Sequence, residues 1–386
     1  MADVKRLFIS AGEASGDMHA ANFIRACRAL APGLEVAALG GGEMESAGAR
    51  LLCDMLGRFA VMGVVDALKV VPAIRRLRNE TLAYFDIWKP DAAVLVDYPG
   101  FNVNLALHLK KRGIPVYYYI CPQVWAWAPW RIHKIAKRVD KALVVFPFEE
   151  EIYERAGIPV EYVGHPLGDV FAARGLDREF IEKELKAAGG EIVALLPGSR
   201  RQEIEAGFPV KARAARLMRE GLPAERGLRF VVPVTSGEHA DMVRGMAAEE
   251  GLECEVYAGK THEVMSVAKF ALATSGTATL ELAHFGVPMV VLYRVGLLGL
   301  ALKRVLVTTE RIALVNIVAG RGIVPELVYA RDRSKTIAEM ALAVLRDPVR
   351  WEETRREVRQ VGEAIEAPGA SMRAARAVVG GRGEKV

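Results

Sequence analysis

The residues of this sequence that can do chemistry gather at turns following apolar runs. Ser10-Ala11-Gly12-Glu13-Ala14-Ser15-Gly16-Asp17 leaves the first such run and opens a helical stretch. Gly12 and Gly16 permit a tight turn with close backbone approach. Ser15 or Asp17 can cap the helix, and its first amides can bind an anion; a plain structural turn capped by Asp17 is the alternative. The pattern is not GxGxxG, and its two acids disfavour a dinucleotide pyrophosphate. In Asp97-Tyr98-Pro99-Gly100-Phe101-Asn102 the Pro-Gly pair already explains a bend. Asp97 is then either a cap or turn residue, or a general base facing a cleft.

Two further turns suit phosphate. Leu195-Leu196-Pro197-Gly198-Ser199-Arg200-Arg201-Gln202-Glu203 runs from a strand through a Gly-Ser turn into a helix, a phosphate-cradle pattern with an added guanidinium. It lacks the GK[ST] of a Walker A loop. Thr274-Ser275-Gly276-Thr277-Ala278-Thr279-Leu280-Glu281 repeats the arrangement. Ser275, Gly276 and Thr277 offer amides and hydroxyls to a diphosphate, and Glu281, one helical turn beyond Thr277, can take the paired hydroxyls of a ribose. A Ser/Thr cap on an ordinary helix is the alternative. Between these pairs lies Cys121-Pro122-Gln123-Val124-Trp125-Ala126-Trp127-Ala128-Pro129-Trp130-Arg131, with three of the chain's five tryptophans. The sequence predicts a basic helix after it, carrying Arg131, Lys134, Lys137, Arg138 and Lys141. Aromatics beside cations suit an amphiphilic phosphate-bearing ligand or a membrane interface; a Trp-rich core corner before a solvated helix is the bland alternative.

Two anion-ready turns in the second half and acid-bearing turns in the first describe a nucleotide-sugar transferase. The sequence has no DxD and no His/Asp/Glu cluster with metal-ligand spacing. The expectation is therefore no metal and no cofactor, with helix dipoles and Arg200 neutralising the diphosphate.

The elements that must position these turns follow from periodicity. Short β-branched runs alternate with helical stretches, the signature of parallel α/β sheets. Strands are predicted at Arg6–Ser10, Glu35–Leu39, Ala92–Val96, Val116–Tyr119 and Ala142–Phe146, and again at Ile192–Leu196, Arg229–Pro233, Glu253–Tyr257, Ala271–Thr274 and Met289–Tyr293. Helices are predicted between them, among them Asp17–Ala31, Asn102–Arg112, Gln202–Arg219, Thr277–Phe285 and Ser334–Leu345. The fold class is α/β, with two doubly wound parallel-sheet domains facing a cleft. Residues 1–168 and 169–345 form the two domains, and 346–386 are C-terminal helices packing back on the first.

With 386 residues, 52 Lys+Arg, 47 Asp+Glu and a net charge of +5, the chain is mildly basic, which suits anionic ligands or an anionic membrane and is far from a nucleic-acid-binding composition. Its four cysteines are scattered and form no CxxC, as expected of buried thiols in a reducing compartment. The opening residues read as lacking a secretory signal. No window supplies the ~20 apolar residues of a membrane span.

The set AGEASGD, AVMG (Ala60–Gly63), DYPGFN, PQVWAW, LLPGSRRQE and SGTATLE, with YVGHPLGD and the Asn316 of LVNIVAGR, runs in order along nearly the whole chain and resembles the lipid-A-disaccharide synthases, glycosyltransferase family 19. The resemblance implies a GT-B fold and transfer from UDP-2,3-diacylglucosamine to 2,3-diacylglucosamine 1-phosphate (lipid X). The products would be the β-1′,6-linked lipid A disaccharide 1-phosphate and UDP. It implies work without a metal, by a cytoplasmic protein peripheral on the inner face of the inner membrane of Gram-negative bacteria. Asp97 matches the proposed catalytic carboxylate. Gly198, Ser199 and Arg200, with Ser275, Gly276 and Thr277, would hold the diphosphate, while Glu281 and Asn316 would line the nucleotide pocket. Glu13, Ser15 and Met62 would lie on the acceptor side. Gly100 stands where many relatives are expected to carry an acid, which leaves Asp97 as the carboxylate of its turn. His19 is the reserve base.

Both implied substrates are acylated, so an apolar surface is needed. Phe59–Ile74 followed by Arg75, Arg76 and Arg78, and Val295–Leu302 followed by Lys303 and Arg304, are the candidates; core helices with basic caps are the alternative. The sequence leaves oligomeric state undetermined. Another GT-B transferase, a UDP-GlcNAc 2-epimerase and a non-catalytic nucleotide-binding module are the competing readings.

Overall fold

The computed structural model describes residues 4–56, 64–126, 128–173, 175–187, 190–223, 226–296 and 311–380, with the backbone alone for 64–70. The chain divides into two compact units, Met1–Ala173 with Ala367–Val386, and Arg174–Glu366.

In the first unit the order is β1 (Arg6–Ala11), α1 (Ala14–Leu30), β2 (Glu35–Gly40), α2 (Gly42–Ser46), β3 (Arg50–Asp54), α3 (Val64–Trp88), β4 (Ala92–Val96), α4 (Pro99–Lys111), β5 (Val116–Tyr119), α5 (Ile132–Ala136), β6 (Lys141–Val144), α6 (Pro147–Arg155), β7 (Val160–Tyr162) and α7 (Leu167–Ala173). The second unit holds α8 (Arg178–Lys186), β8 (Glu191–Leu196), α9 (Arg201–Glu220), β9 (Leu228–Val234), α10 (Gly237–Glu249), β10 (Glu255–Ala258), α11 (Thr261–Val267), β11 (Phe270–Thr274), α12 (Ala278–His284), β12 (Met289–Arg294), α13 (Leu314–Val318), β13 (Glu326–Tyr329), α14 (Ser334–Leu345) and α15 (Pro348–Ile365); α16 (Ala370–Val379) returns to the first.

Every strand pair is parallel, in the orders β3-β2-β1-β4-β5-β6-β7 and β10-β9-β8-β11-β12-β13. Helices cover both faces of such sheets, which is why the inner strands read as unbroken apolar runs: all of Ala92–Val96 is buried. The strand order reverses between β1 and β4 and again between β8 and β11. These are the switch points where open α/β sheets bind ligands, and they bring the Gly12 turn beside the Asp97 turn, and the Gly198 turn beside the Ser275 turn.

The predicted strands are present. β3 and β13 escaped prediction because edge strands are only partly buried and lose the apolar signal. The C-terminal residues expected to form one group separate. Helix α15 packs on α12 within the second unit, backbone to backbone: a Cβ at Gly362 would lie 2.3 Å from the Ala283 carbonyl oxygen. Only α16 packs on α1. Its N-terminus is held by Asp169, whose carboxylate accepts from the Gly369 and Ser371 amides. Arg373 donates to the Val163 carbonyl at 2.8 Å. Among the described residues no helix is long and apolar enough to cross a membrane.

Candidate active site

In the first unit the chain leaves β4 through two consecutive non-glycine residues in the left-handed region, Asp97 (φ 45°) and Tyr98 (φ 48°). Each costs of order 1 kcal/mol or more and persists only where its surroundings enforce it. Pro99, at the first helical position with φ already set, starts α4 immediately. The Asp97 backbone is held on both sides. Its amide donates to the Tyr119 carbonyl at 3.2 Å, and its carbonyl accepts from Tyr118 Oη at 2.7 Å and Asn102 Nδ2 at 2.8 Å. Asn102, fully buried, also turns Nδ2 toward the Ser10 and Val96 carbonyls (3.2 Å each) and accepts from Ser10 Oγ at 2.7 Å. It thus ties the ends of β1 and β4 together beneath the turn. The Asp97 side chain stays half-buried.

The β1–α1 turn closes on the same place. A Cβ on Gly12 would lie 2.3 Å from Cδ1 of Tyr98, so Gly12 is what admits the Tyr98 ring. Glu13 is the N-cap of α1 and makes no side-chain cap; Ser15 lies inside the helix. The expected capping by Ser15 or Asp17 is therefore replaced by a longer-range one. Buried Asp17 accepts from the amides of Gly41 (2.7 Å), Glu43 (3.1 Å) and Met44 (3.4 Å), capping α2 instead. Burial raises the Asp17 carboxyl above its usual range, opposed by those three amides. His19 is buried on α1 near His165, whose imidazole burial and His19 together lower to about 3. Of the two candidate bases, Asp97 is half-buried and His19 is buried.

In the second unit Gly198 adopts φ 116°, a region that favours glycine, and a Cβ there would meet Glu203 Oε2 at 2.7 Å. Glu203 stands at the third position of α9 and reaches back along the turn. Its carboxylate accepts from the amides of Ser199 (3.2 Å) and Arg200 (3.5 Å) and from the Arg200 guanidinium (3.3 Å). The anion that the turn's donors meet here is the chain's own Glu203. At the neighbouring turn Ser275 Oγ donates to the Ile312 carbonyl (3.1 Å), and Gly276 (φ 151°) lets the chain swing into α12. Glu281 lies 3.2 Å from His262 Nε2, a nearly buried partner on α11. Asn316 is buried, with its amide committed to residues 323–326. Nδ2 donates to the Val324 carbonyl and Glu326, while Oδ1 accepts from the Ile323 and Val324 amides. Glu326 in turn accepts from the Ile312 and Ala313 amides. Asn316 therefore shapes the segment that Ser275 grips.

Residues 7–378 match the family model described as lipid-A-disaccharide synthetase. A lipid-A-disaccharide synthase of Geobacter metallireducens is 39% identical over 99% of this chain and 98% of its own length. That of Geobacter sulfurreducens is 38% identical with the same coverage. The chain belongs to the lipid-A-disaccharide synthase family. It is an enzyme, a glycosyltransferase, and its two units are the Rossmann-like sheets of the GT-B fold. Solved structures share that fold at low identity. The S. aureus MnaA-UDP co-structure superposes with a TM-score of 0.66 at 15% identity, covering 97% of this chain and 96% of that one. The UDP-GlcNAc 2-epimerase of Neisseria meningitidis bound to UDP-GlcNAc gives 0.64 at 12%, covering 97% and 99%. These likenesses concern fold; the family rests on the sequence matches.

The Trp-rich turn of this lipid-A-disaccharide synthase family member is built on a buried acid. Trp125 Nε1 donates to Glu149 at 3.0 Å, and the amides of Val145 and Phe146 donate to the same carboxylate. Burial outweighs those donors and pushes the Glu149 carboxyl up to about 7. Trp130 is half exposed. The expected basic helix is only the five residues of α5: Arg138 donates to the Val103 carbonyl, and Lys141, on β6, pairs with Glu161 of β7. Trp127, Met62 and residues 297–304 lie outside the described residues, as do the side chains of residues 59–70. Asn102, Glu203, His262 and Glu326 were missed as site residues by sequence reasoning. For Asn102 and Glu203 the one signal available was their place inside the turn motifs; His262 and Glu326 lie outside all of those turns and carried none.

Proposed function

We propose that the chain transfers a 2,3-diacylglucosaminyl group from UDP to O6 of 2,3-diacylglucosamine 1-phosphate, giving the lipid A disaccharide 1-phosphate and UDP with inversion. What carries this reading is the strained Asp97–Tyr98 pair. A family glycosyltransferase that holds a half-buried carboxylate at a sheet switch point, through a fully buried asparagine, has a positioned base there. Asp97 takes the proton of the acceptor hydroxyl as that oxygen attacks the anomeric carbon; the bonding pair of the C1–O bond leaves on UDP. General-base assistance contributes ~10²–10⁴-fold.

Donor binding falls to the second unit. Because Glu203 holds the Ser199 and Arg200 amides, we assign diphosphate recognition at that turn to the Arg200 guanidinium and to the shape set by Gly198. Ser275, Gly276 and Thr277 complete it, Glu281 meets the ribose, and Asn316 shapes the pocket wall. Glu13, Ser15 and Met62 are assigned to the acceptor. Acylated substrates also imply work at an anionic membrane surface, on the cytoplasmic face. Exposed Arg75 and Arg76 of α3 support this, although Arg76 already pairs with Glu80. Charge reversal of both should reduce sedimentation with anionic vesicles; unchanged sedimentation would remove the membrane assignment.

The deciding experiment incubates the protein with UDP-2,3-diacylglucosamine, with and without the acceptor, in detergent micelles containing EDTA. Acceptor-dependent UDP release with a product of disaccharide mass is expected. Asp97→Asn should bind UDP normally and turn over ~10²-fold or more slowly. Turnover of UDP-GlcNAc without an acceptor, or near-normal Asp97→Asn turnover, would overturn the substrate and the base respectively.

A further inference from the structure

Lys211 lies on the inner face of α9 and is 1% exposed. Its Nζ donates to Thr274 Oγ1 at 2.9 Å, and Thr274 Oγ1 donates to the Leu196 carbonyl at 3.0 Å. Leu196 ends β8 and Thr274 ends β11. The nitrogen therefore sits where the two strands of the switch point terminate, at the base of the Gly198 and Ser275 turns. Gly207, one turn earlier on α9, makes room: a Cβ there would stand 3.3 Å from Nζ. Among the described residues Lys211 forms no ion pair. An amine in this position costs free energy that a methionine or leucine of like volume would not. A negative charge brought to this position would offset that cost.

We propose that Lys211 is the buried countercharge of the nucleotide diphosphate site, acting from beneath the two turns rather than from their surface. Burial lowers its ammonium to about 7, with Glu203 of α9 raising it and Arg294 of β12 lowering it further. At pH 8 the side chain is largely neutral before the ligand arrives, and an incoming diphosphate, adding negative charge above it, draws a proton onto Nζ. Binding of UDP is then coupled to proton uptake, and binding of uridine is not.

The inference rests on the reading of the second unit as the donor-binding unit. Calorimetric titration with UDP and with uridine at pH 8, in buffers of differing ionisation enthalpy, tests both. For Lys211→Met, UDP affinity should fall ~10–100-fold, as a unit charge several Å away at an effective dielectric near 20 requires, while uridine affinity stays the same. Equal UDP affinity in wild type and variant overturns the proposal. Loss of uridine affinity in step with UDP also overturns it, as a structural role only. Should the variant fail to fold, the wild type decides: proton uptake with UDP and none with uridine upholds the assignment, and no uptake with either overturns it. A wild type that binds no UDP defeats the donor-site reading itself.

Discussion

Replacing Asn102 with alanine should separate catalysis from donor binding. The amide donates two hydrogens to a set of three carbonyls and accepts one hydroxyl, with the Asn102 side chain itself fully buried. Three hydrogen bonds at ~1 kcal/mol each, with Ser10 Oγ left buried and short of its partner, give a loss of roughly 3–4 kcal/mol. A domain of ~5–15 kcal/mol survives that at 25 °C, so the variant should fold with a lowered urea midpoint. The larger effect is on the turn. Without Asn102 on the Asp97 carbonyl, the left-handed pair relaxes toward a commoner backbone conformation and carries the carboxylate with it. Misplacement by about 1 Å costs ~10²-fold. Initial rates of UDP release at saturating substrates should therefore fall ~10²-fold, while UDP affinity, assigned above to the other unit, should hold. Turnover within threefold of wild type in a folded Asn102→Ala protein would refute the reasoning. So would a parallel loss of UDP affinity.

Gly12→Ala drives a methyl into the Tyr98 ring 2.3 Å away; it should cost ~1–3 kcal/mol and lower kcat without changing UDP affinity, and an unchanged kcat would show the ring contact to be catalytically idle. Glu149, held near 7 against an ordinary 4.5, binds its proton in the folded state where the unfolded chain has lost it. Glu149's own contribution to stability should thus be greatest below pH 4.5 and fall by up to about 3 kcal/mol as pH rises to 7. Subtracting the pH profile of urea unfolding for Glu149→Gln isolates this; a flat difference between pH 5 and 7.5 would contradict it. Asp169→Ala removes the cap from α16 and should cost ~1–2 kcal/mol, seen as faster amide exchange across Ala370–Val379, and unchanged protection there would rule out the anchor.

Much of the fold was legible because its cause is local. Continuous burial between two helix layers leaves an unbroken apolar run such as Ala92–Val96, and strand-turn-helix joins need glycine, proline or hydroxyl residues at fixed places. The edge strands β3 and β13 were not legible, since half-exposed residues carry no such pattern. Among candidate residues, Asp97 and the Gly198 and Ser275 turns could be found from type and spacing. Asn316 could be picked out as a motif residue, but its commitment to the backbone of 323–326 could not.

The sequence by itself determined which turns exist, which residue types stand in them, and to which family the chain belongs, because those follow from short-range sterics and from ordered motifs. Tertiary structure alone decided what those residues face. Ser10 meets Asn102 across 92 positions, Asp169 meets Gly369 across 200, and Lys211 meets Thr274 across 63. Strand order sets these meetings: β1 lies beside β4, and β8 beside β11, because crossover helices return the chain to the far side of the first strand. No local pattern encodes that adjacency, yet it fixes the backbone of an aspartate in a bend from both sides and buries the amine of a helix lysine at the ends of two strands.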